Sequence, residues 1–154
     1  TYSYVTNNPI SYIDETGLET TLITTFDTFA GIEYGSHTAL HILTAGEDAF
    51  LYDPAGSYNA LTRGSGGFFD GDEANLQKYI DYQKGTGSIV RTLTLPTTKA
   101  QEEAIKIKIE GLGDPRGFSC AASVSSALVG QCSVAQTKLP GKLYDSAKKA
   151  SCNK

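Results

Sequence analysis

Positive charge is scarce in this chain of 154 residues: thirteen Lys and Arg stand against seventeen Asp and Glu, a net charge of −4. No basic cluster precedes the sparse C-terminal Lys138, Lys142, Lys148 and Lys149. Affinity for nucleic acid rests on concentrated positive charge, so a nucleic-acid partner is not expected. Apolar runs are short, and none approaches the roughly eighteen residues that a spanning helix needs. The first residues carry neither the basic stretch nor the apolar block of a secretory signal. The expectation is a chain that neither spans a membrane nor directs its own export. Two His and scattered carboxylates show no metal-ligand spacing, and the glycine-rich Gly64–Gly71 lacks the Lys of a phosphate-binding loop, so neither metal nor cofactor is expected. Cysteine is limited to three, an odd number. Cys132 and Cys152 flank a segment with Pro140, Gly141 and a short helical pattern. A bridge between them would staple the C-terminus in an oxidising compartment, and in a reducing one both would remain small, partly buried thiols.

The residues present suffice for one domain with a proper core, being 40% hydrophobic with nine Tyr and six Phe. Thr20–Phe29, rich in Thr, Ile and Phe, suits a strand or a short helix. Thr38–Leu43 and Ala49–Tyr52 read as strands joined by a hairpin turn at Thr44–Asp48. Gly64–Gly71 reads as a loop. Acidic residues followed by Leu76, Tyr79 and Ile80 predict a helix over Asp72–Lys84. Ser88–Leu95 alternates as a strand. Thr98 with Gln101 forms a capping box opening a helix to about Glu110, where Gly111-Leu112-Gly113 stops it. After a turn at Asp114–Gly117, Cys120–Leu128 predicts a small-residue helix with Ala121, Val124 and Leu128 on one face. The class is α+β.

Residues 1–18 form a strand pattern closing in a turn at Asp14–Gly17. Within them Asn7-Asn8-Pro9-Ile10, then Tyr12-Ile13-Asp14 and Gly17-Leu18, resemble the segment that ends the RHS-repeat shell of polymorphic toxins. Glu15 stands where that family usually has Pro. The resemblance implies two parts: 1–18, the end of a shell with its release motif, and 19–154, a toxin or effector domain. It also implies cleavage between Leu18 and Glu19 by the shell's aspartyl-protease activity, with Asp14 and Gly17 in the motif. Implied partners are the shell before release and a cognate immunity protein, and the implied setting is secretion or delivery into a target cell.

Gly35-Ser36-His37 opens one strand, and Phe50-Leu51-Tyr52-Asp53 closes the next. If the two pair as a hairpin, His37 lies near Asp53, and an imidazole acting as general base needs such a carboxylate to fix its tautomer. Cys120, at the start of a helix after Gly117-Phe118-Ser119, has the setting that favours thiolate. His37, Ala39 and His41 share a strand face, so His41 is an alternative base. The oxyanion donors are the backbone N–H of Cys120 and a second group from Ser36, Ser119 or elsewhere.

The glycine-preceded His and the closing Asp53-Pro54-Ala55-Gly56 resemble the His and Asp segment of YopT-type papain-like proteases, and the spacing of His37 and Asp53 favours His37 over His41. Those proteases place Cys first. The order His, Asp, Cys is similar instead to the circularly permuted papain-like enzymes related to NlpC hydrolases and lecithin–retinol acyltransferases. That resemblance implies a small antiparallel sheet packed with helices and a Cys at a helix N-terminus. By it, Cys120 is the nucleophile, His37 the base and acid, and Asp53 the orienting carboxylate of an amide or acyl hydrolase acting on protein, peptidoglycan or lipid. Two other classes compete: a toxin of another chemistry, such as an ADP-ribosyltransferase or nuclease, and a non-catalytic binding module.

Overall fold

β-branched residues dominate Glu19–Phe29, and this segment becomes strand β1, buried without interruption from Thr20 to Phe26. The computed structural model describes residues 19–58, 67–112 and 120–152. Asp14, Gly17 and Leu18 of the expected release motif therefore lie outside the described residues, while Glu19 opens β1. The other strands are β2 (Ile32–Leu43), β3 (Phe50–Tyr52), β4 (Phe68–Asp70) and β5 (Ile89–Leu95). They form one antiparallel sheet in the order β4-β3-β2-β1-β5. Four helices join it among the described residues: α1 (Leu76–Gly85), α2 (Lys99–Leu112), α3 (Cys120–Leu128) and α4 (Pro140–Lys148). The fold is α+β, and none of these helices is long and apolar enough to cross a membrane.

Alternation along the strands divides the core in two. Leu22, Leu40, Ile42 and Tyr52 face one side and pack with Ile105 and Ile109 of α2, Val124 and Leu128 of α3, and Leu143 of α4. Ile23, Ala39 and Leu51 face the other and pack with Tyr58, Phe69, Ala74 and Tyr79. The even and odd residues of β2 thus serve different layers, and His37, in step with Ala39, belongs to the α1 layer. On the sheet's other flank Glu102 is fully buried. Hydroxyls of Thr44 (2.8 Å) and Thr97 (2.7 Å) donate to its carboxyl, tying α2 to the end of β2 and to the turn after β5. Burial raises its pKa against those bonds.

Three expectations need correction. Phe68–Asp70, read as part of a loop, is the edge strand β4, because Phe69 supplies apolar burial that the surrounding glycines obscure. The helix expected from Asp72 starts later: Gly71–Ala74 is a 3-10 turn, and α1 begins after Asn75, whose side chain accepts the Lys78 N–H at 2.9 Å. β2 begins at Ile32 rather than Thr38, since pairing with β1 extends to Phe29 opposite Ile32. The capping box forms: Thr98 N–H donates to Gln101 Oε1 at 2.8 Å, and Gln101 N–H donates to Thr98 Oγ1 at 3.2 Å.

Cys132 and Cys152 are bridged, closing a loop of 20 residues in sequence separation that contains α4. Restricting the unfolded chain over a loop of this size stabilises a protein by about 3 kcal/mol. Reduction, or the double replacement Cys132→Ser with Cys152→Ser, is expected to lower the unfolding free energy by about that amount in denaturant titrations. An unchanged midpoint would show that the bridge does not constrain the chain.

Candidate functional site

The site grows from an irregularity in β2. Thr25 pairs with His37 but Phe26 pairs with Gly35, so Ser36 is an extra residue, a bulge beside His37. A bulge turns the strand and re-aims the side chain next to it. Gly35 is required where the chain of α4 crosses: a Cβ there would lie 2.5 Å from the Gly141 nitrogen. The Gly-Ser-His string therefore holds a close backbone crossing, a bulge and the imidazole in three consecutive residues.

Asp53 follows β3 on the same face as His37. Its carboxylate is shut away from solvent, and its Oδ1 lies 2.6 Å from His37 Nε2. The Tyr79 hydroxyl donates to the same oxygen at 2.7 Å, and the Tyr58 N–H approaches Oδ2 at 3.4 Å. Gln83 Nε2 in turn donates to the Tyr79 oxygen at 2.8 Å. Burial, and then the negative charge of Asp53, hold the Tyr79 phenol well above its ordinary pKa, so it stays a protonated donor. Tyr58 packs edge-on against Phe69, Tyr79 and Tyr82, forming an aromatic floor. Gly56 folds back over the carboxylate so closely that a Cβ there would fall on Asp53 Oδ1, Oδ2 and Cγ.

Cys120 is the first residue of α3 and is 8% exposed. β2 pairs with β3 only over Leu40–Ile42, so the ladder between them ends before His37. The thiol is hydrogen-bonded to the His37 ring and receives backbone N–H groups from Thr38 and Ala121. Because Nε2 faces Asp53, the nitrogen left for the sulfur is Nδ1. Burial works against ionisation of the thiol, but the bond to His37, its charge and the two N–H groups outweigh it and bring the pKa below the usual thiol value. For His37, burial disfavours the charged ring; the Asp53 and Cys120 bonds and charges overcome this and push its pKa up to about 10. The favoured state is a thiolate–imidazolium pair backed by a buried carboxylate.

His41 is placed differently. It is buried, its Nδ1 has no partner, and its bond is to the Ala74 backbone. Burial lowers its pKa, so it is a neutral core histidine away from Cys120. Of the possible second oxyanion donors, Ser36 has its hydroxyl turned to Thr25, 3.0 Å from Oγ1 and 3.3 Å from the carbonyl. Ser119 lies outside the described residues, as do Gly117 and Phe118. The sequence does not reveal Tyr79 and Gln83 as members of the site, whereas Gly56 stands in the motif that closes on Asp53. Tyr79 looked like an apolar face residue of a helix, and the one available signal, a Gln four residues on, is common on helices. Among the described residues no group of three or more His, Cys, Asp and Glu side chains is placed to hold a metal ion.

The chain matches no protein-family model, no curated protein and no solved structure.

Proposed function

We propose that this domain is a cysteine-dependent hydrolase of amide or acyl bonds, arranged as in the permuted papain-like enzymes. The observation that carries the reading is the unbroken relay Cys120–His37–Asp53, in which both ring nitrogens are engaged, one by the thiol and one by a buried carboxylate. Cys120 Sγ attacks the carbonyl carbon, and the C–S bond forms. His37 delivers its proton to the departing nitrogen or oxygen as that bond breaks. Water then adds to the thioester with His37 taking its proton, and the carboxylic acid leaves as the C–S bond breaks. Asp53 orients the ring and balances its charge throughout. The backbone N–H of Cys120 at the head of α3 is the first oxyanion donor.

The string from Asn7 to Leu18 supports delivery of the domain as the payload of an RHS-repeat toxin, freed between Leu18 and Glu19 and held in check by an immunity protein. The Cys132–Cys152 bridge favours action in an oxidising compartment, such as a periplasm or the cell exterior.

Alkylation of Cys120 by iodoacetamide in the full chain tests the reading. With the thiol pKa below its ordinary 9.0, the midpoint of the rate profile should lie below pH 9, the rate falling as the pH drops through the lowered value. Turnover should fall again above about pH 10, where His37 loses its proton. His37→Ala should return alkylation to the profile of a free thiol. A wild-type midpoint at pH 9 or higher would refute the ion pair.

A further inference from the structure

Two pockets of unlike character meet at this site, with Ser36 in the wall of both. Cys120 opens into a pocket of ≈490 Å³ walled by Tyr34, Gly35, Lys138, Leu139 and Pro140. His37 opens into another of ≈480 Å³, lined by Asp27, Ser57, Gln83, Thr86 and Ser88 among others. Tyr34 and Leu139 are 48% and 54% exposed, so their side chains are open to a ligand beside the buried thiol. In the other pocket Ser88 donates to Asp27 at 2.6 Å, and the rest of the wall is largely hydroxyl and amide groups. No Lys or Arg lines it among the described residues.

Mechanism decides which half of a substrate enters which pocket. The acyl carbon bonds to Cys120 Sγ, so the acyl group extends on the sulfur's side. The leaving group takes its proton from His37 and departs on the ring's side. Resting on the hydrolase reading above, we infer that the substrate is an amide whose acyl group is apolar and whose leaving amine is polar and positively charged. The acyl group lies against Tyr34, Leu139 and Pro140, and Lys138 in the same wall disfavours a cationic one. The leaving amine lies among the hydroxyls, with Asp27 as its counter-charge. Glutamine deamidation fits poorly, because ammonia would leave the larger part of the polar pocket unused. The reading instead points to a peptide-type amide with a large apolar residue on the acyl side of the cut and a basic residue on the other.

Chloromethyl ketones test the acyl side without knowledge of the natural substrate. Inactivation of the full chain by the ketones of Phe and Leu, each normalised to iodoacetamide, is expected to be ~10–100-fold faster than by those of Asp and Lys, the range one apolar pocket supplies. Leu139→Asp and Tyr34→Asp, both at exposed positions, should each reduce that ratio about tenfold. For the amine side, peptide amides with Lys after the scissile bond should be cut about tenfold faster than those with Glu, and Asp27→Lys should reverse the order. Equal normalised rates for apolar and charged ketones would overturn the acyl assignment, and equal cutting of Lys and Glu peptides would overturn the amine assignment. Iodoacetamide alkylation with the profile of a free thiol would instead remove the hydrolase reading, and this inference with it. The two failures are therefore told apart by which reagent is slow.

Discussion

Cys120→Ala is expected to lower amide hydrolysis by at least ~10³-fold, since nothing else in the site can form the covalent intermediate. Stability should change little, by about 1 kcal/mol, because the side chain lost is small and a buried charge leaves with it. Cys120→Ser keeps the shape, but its hydroxyl, far less acidic than the thiol, stays protonated beside His37 and should be nearly as inactive. His37→Ala should match either within about tenfold, and adding it to Cys120→Ala should cost almost nothing further, because residues that act as one unit are non-additive. That pattern separates the hydrolase reading from its competitors. Hydrolysis by Cys120→Ala at the wild-type rate would end the mechanism. If the proposed toxin reading holds, toxicity of Cys120→Ala equal to that of the wild type would indicate a different chemistry or a binding module.

The site was legible to the extent that it depends on local pairing. A short turn between two β-type runs predicts a hairpin, and a hairpin carries His37 and Asp53 to the same end of the sheet. The helix over Cys120–Leu128 was read with its bounds intact because small residues and one buried face leave little ambiguity. Sequence parity alone could not choose between His37 and His41, which lie on one face. The choice is made by long-range contacts: Asp53 and Cys120 converge on the first, whereas a backbone carbonyl near α1 occupies the second. Tyr79 and Gln83 were invisible for a related reason. A helical tyrosine buried in a core and one donating to a buried carboxylate of a candidate site look alike until the partner element is in place. β4 was missed because three residues flanked by glycine carry too little pattern. The approach of α4 to Gly35, which closes the apolar pocket, joins segments more than a hundred residues apart, and no local rule reaches that far.

The glycine after Asp53 gives the second large effect. In Gly56→Ala the new methyl group would occupy the position of the Asp53 carboxylate, and the backbone there is not left-handed, so the carboxylate alone must yield. The side chain that moves is the one that orients His37 and, after the opposing effect of burial, does most to raise its pKa. Turnover should therefore fall by ~10²–10⁴-fold, the range expected when an orienting carboxylate is lost while the nucleophile stays. Asp53→Asn should fall in the same range without the steric clash. Both should move the upper limb of the pH–rate profile below the wild-type value of about 10, since Asp53→Asn removes, and Gly56→Ala displaces, the negative charge that favours imidazolium. A loss of rate through general loosening would lower the thermal midpoint but leave that limb in place. Gly56→Ala with wild-type turnover and an unmoved upper limb would show that Asp53 does not govern His37, and the relay would shrink to a Cys120–His37 dyad.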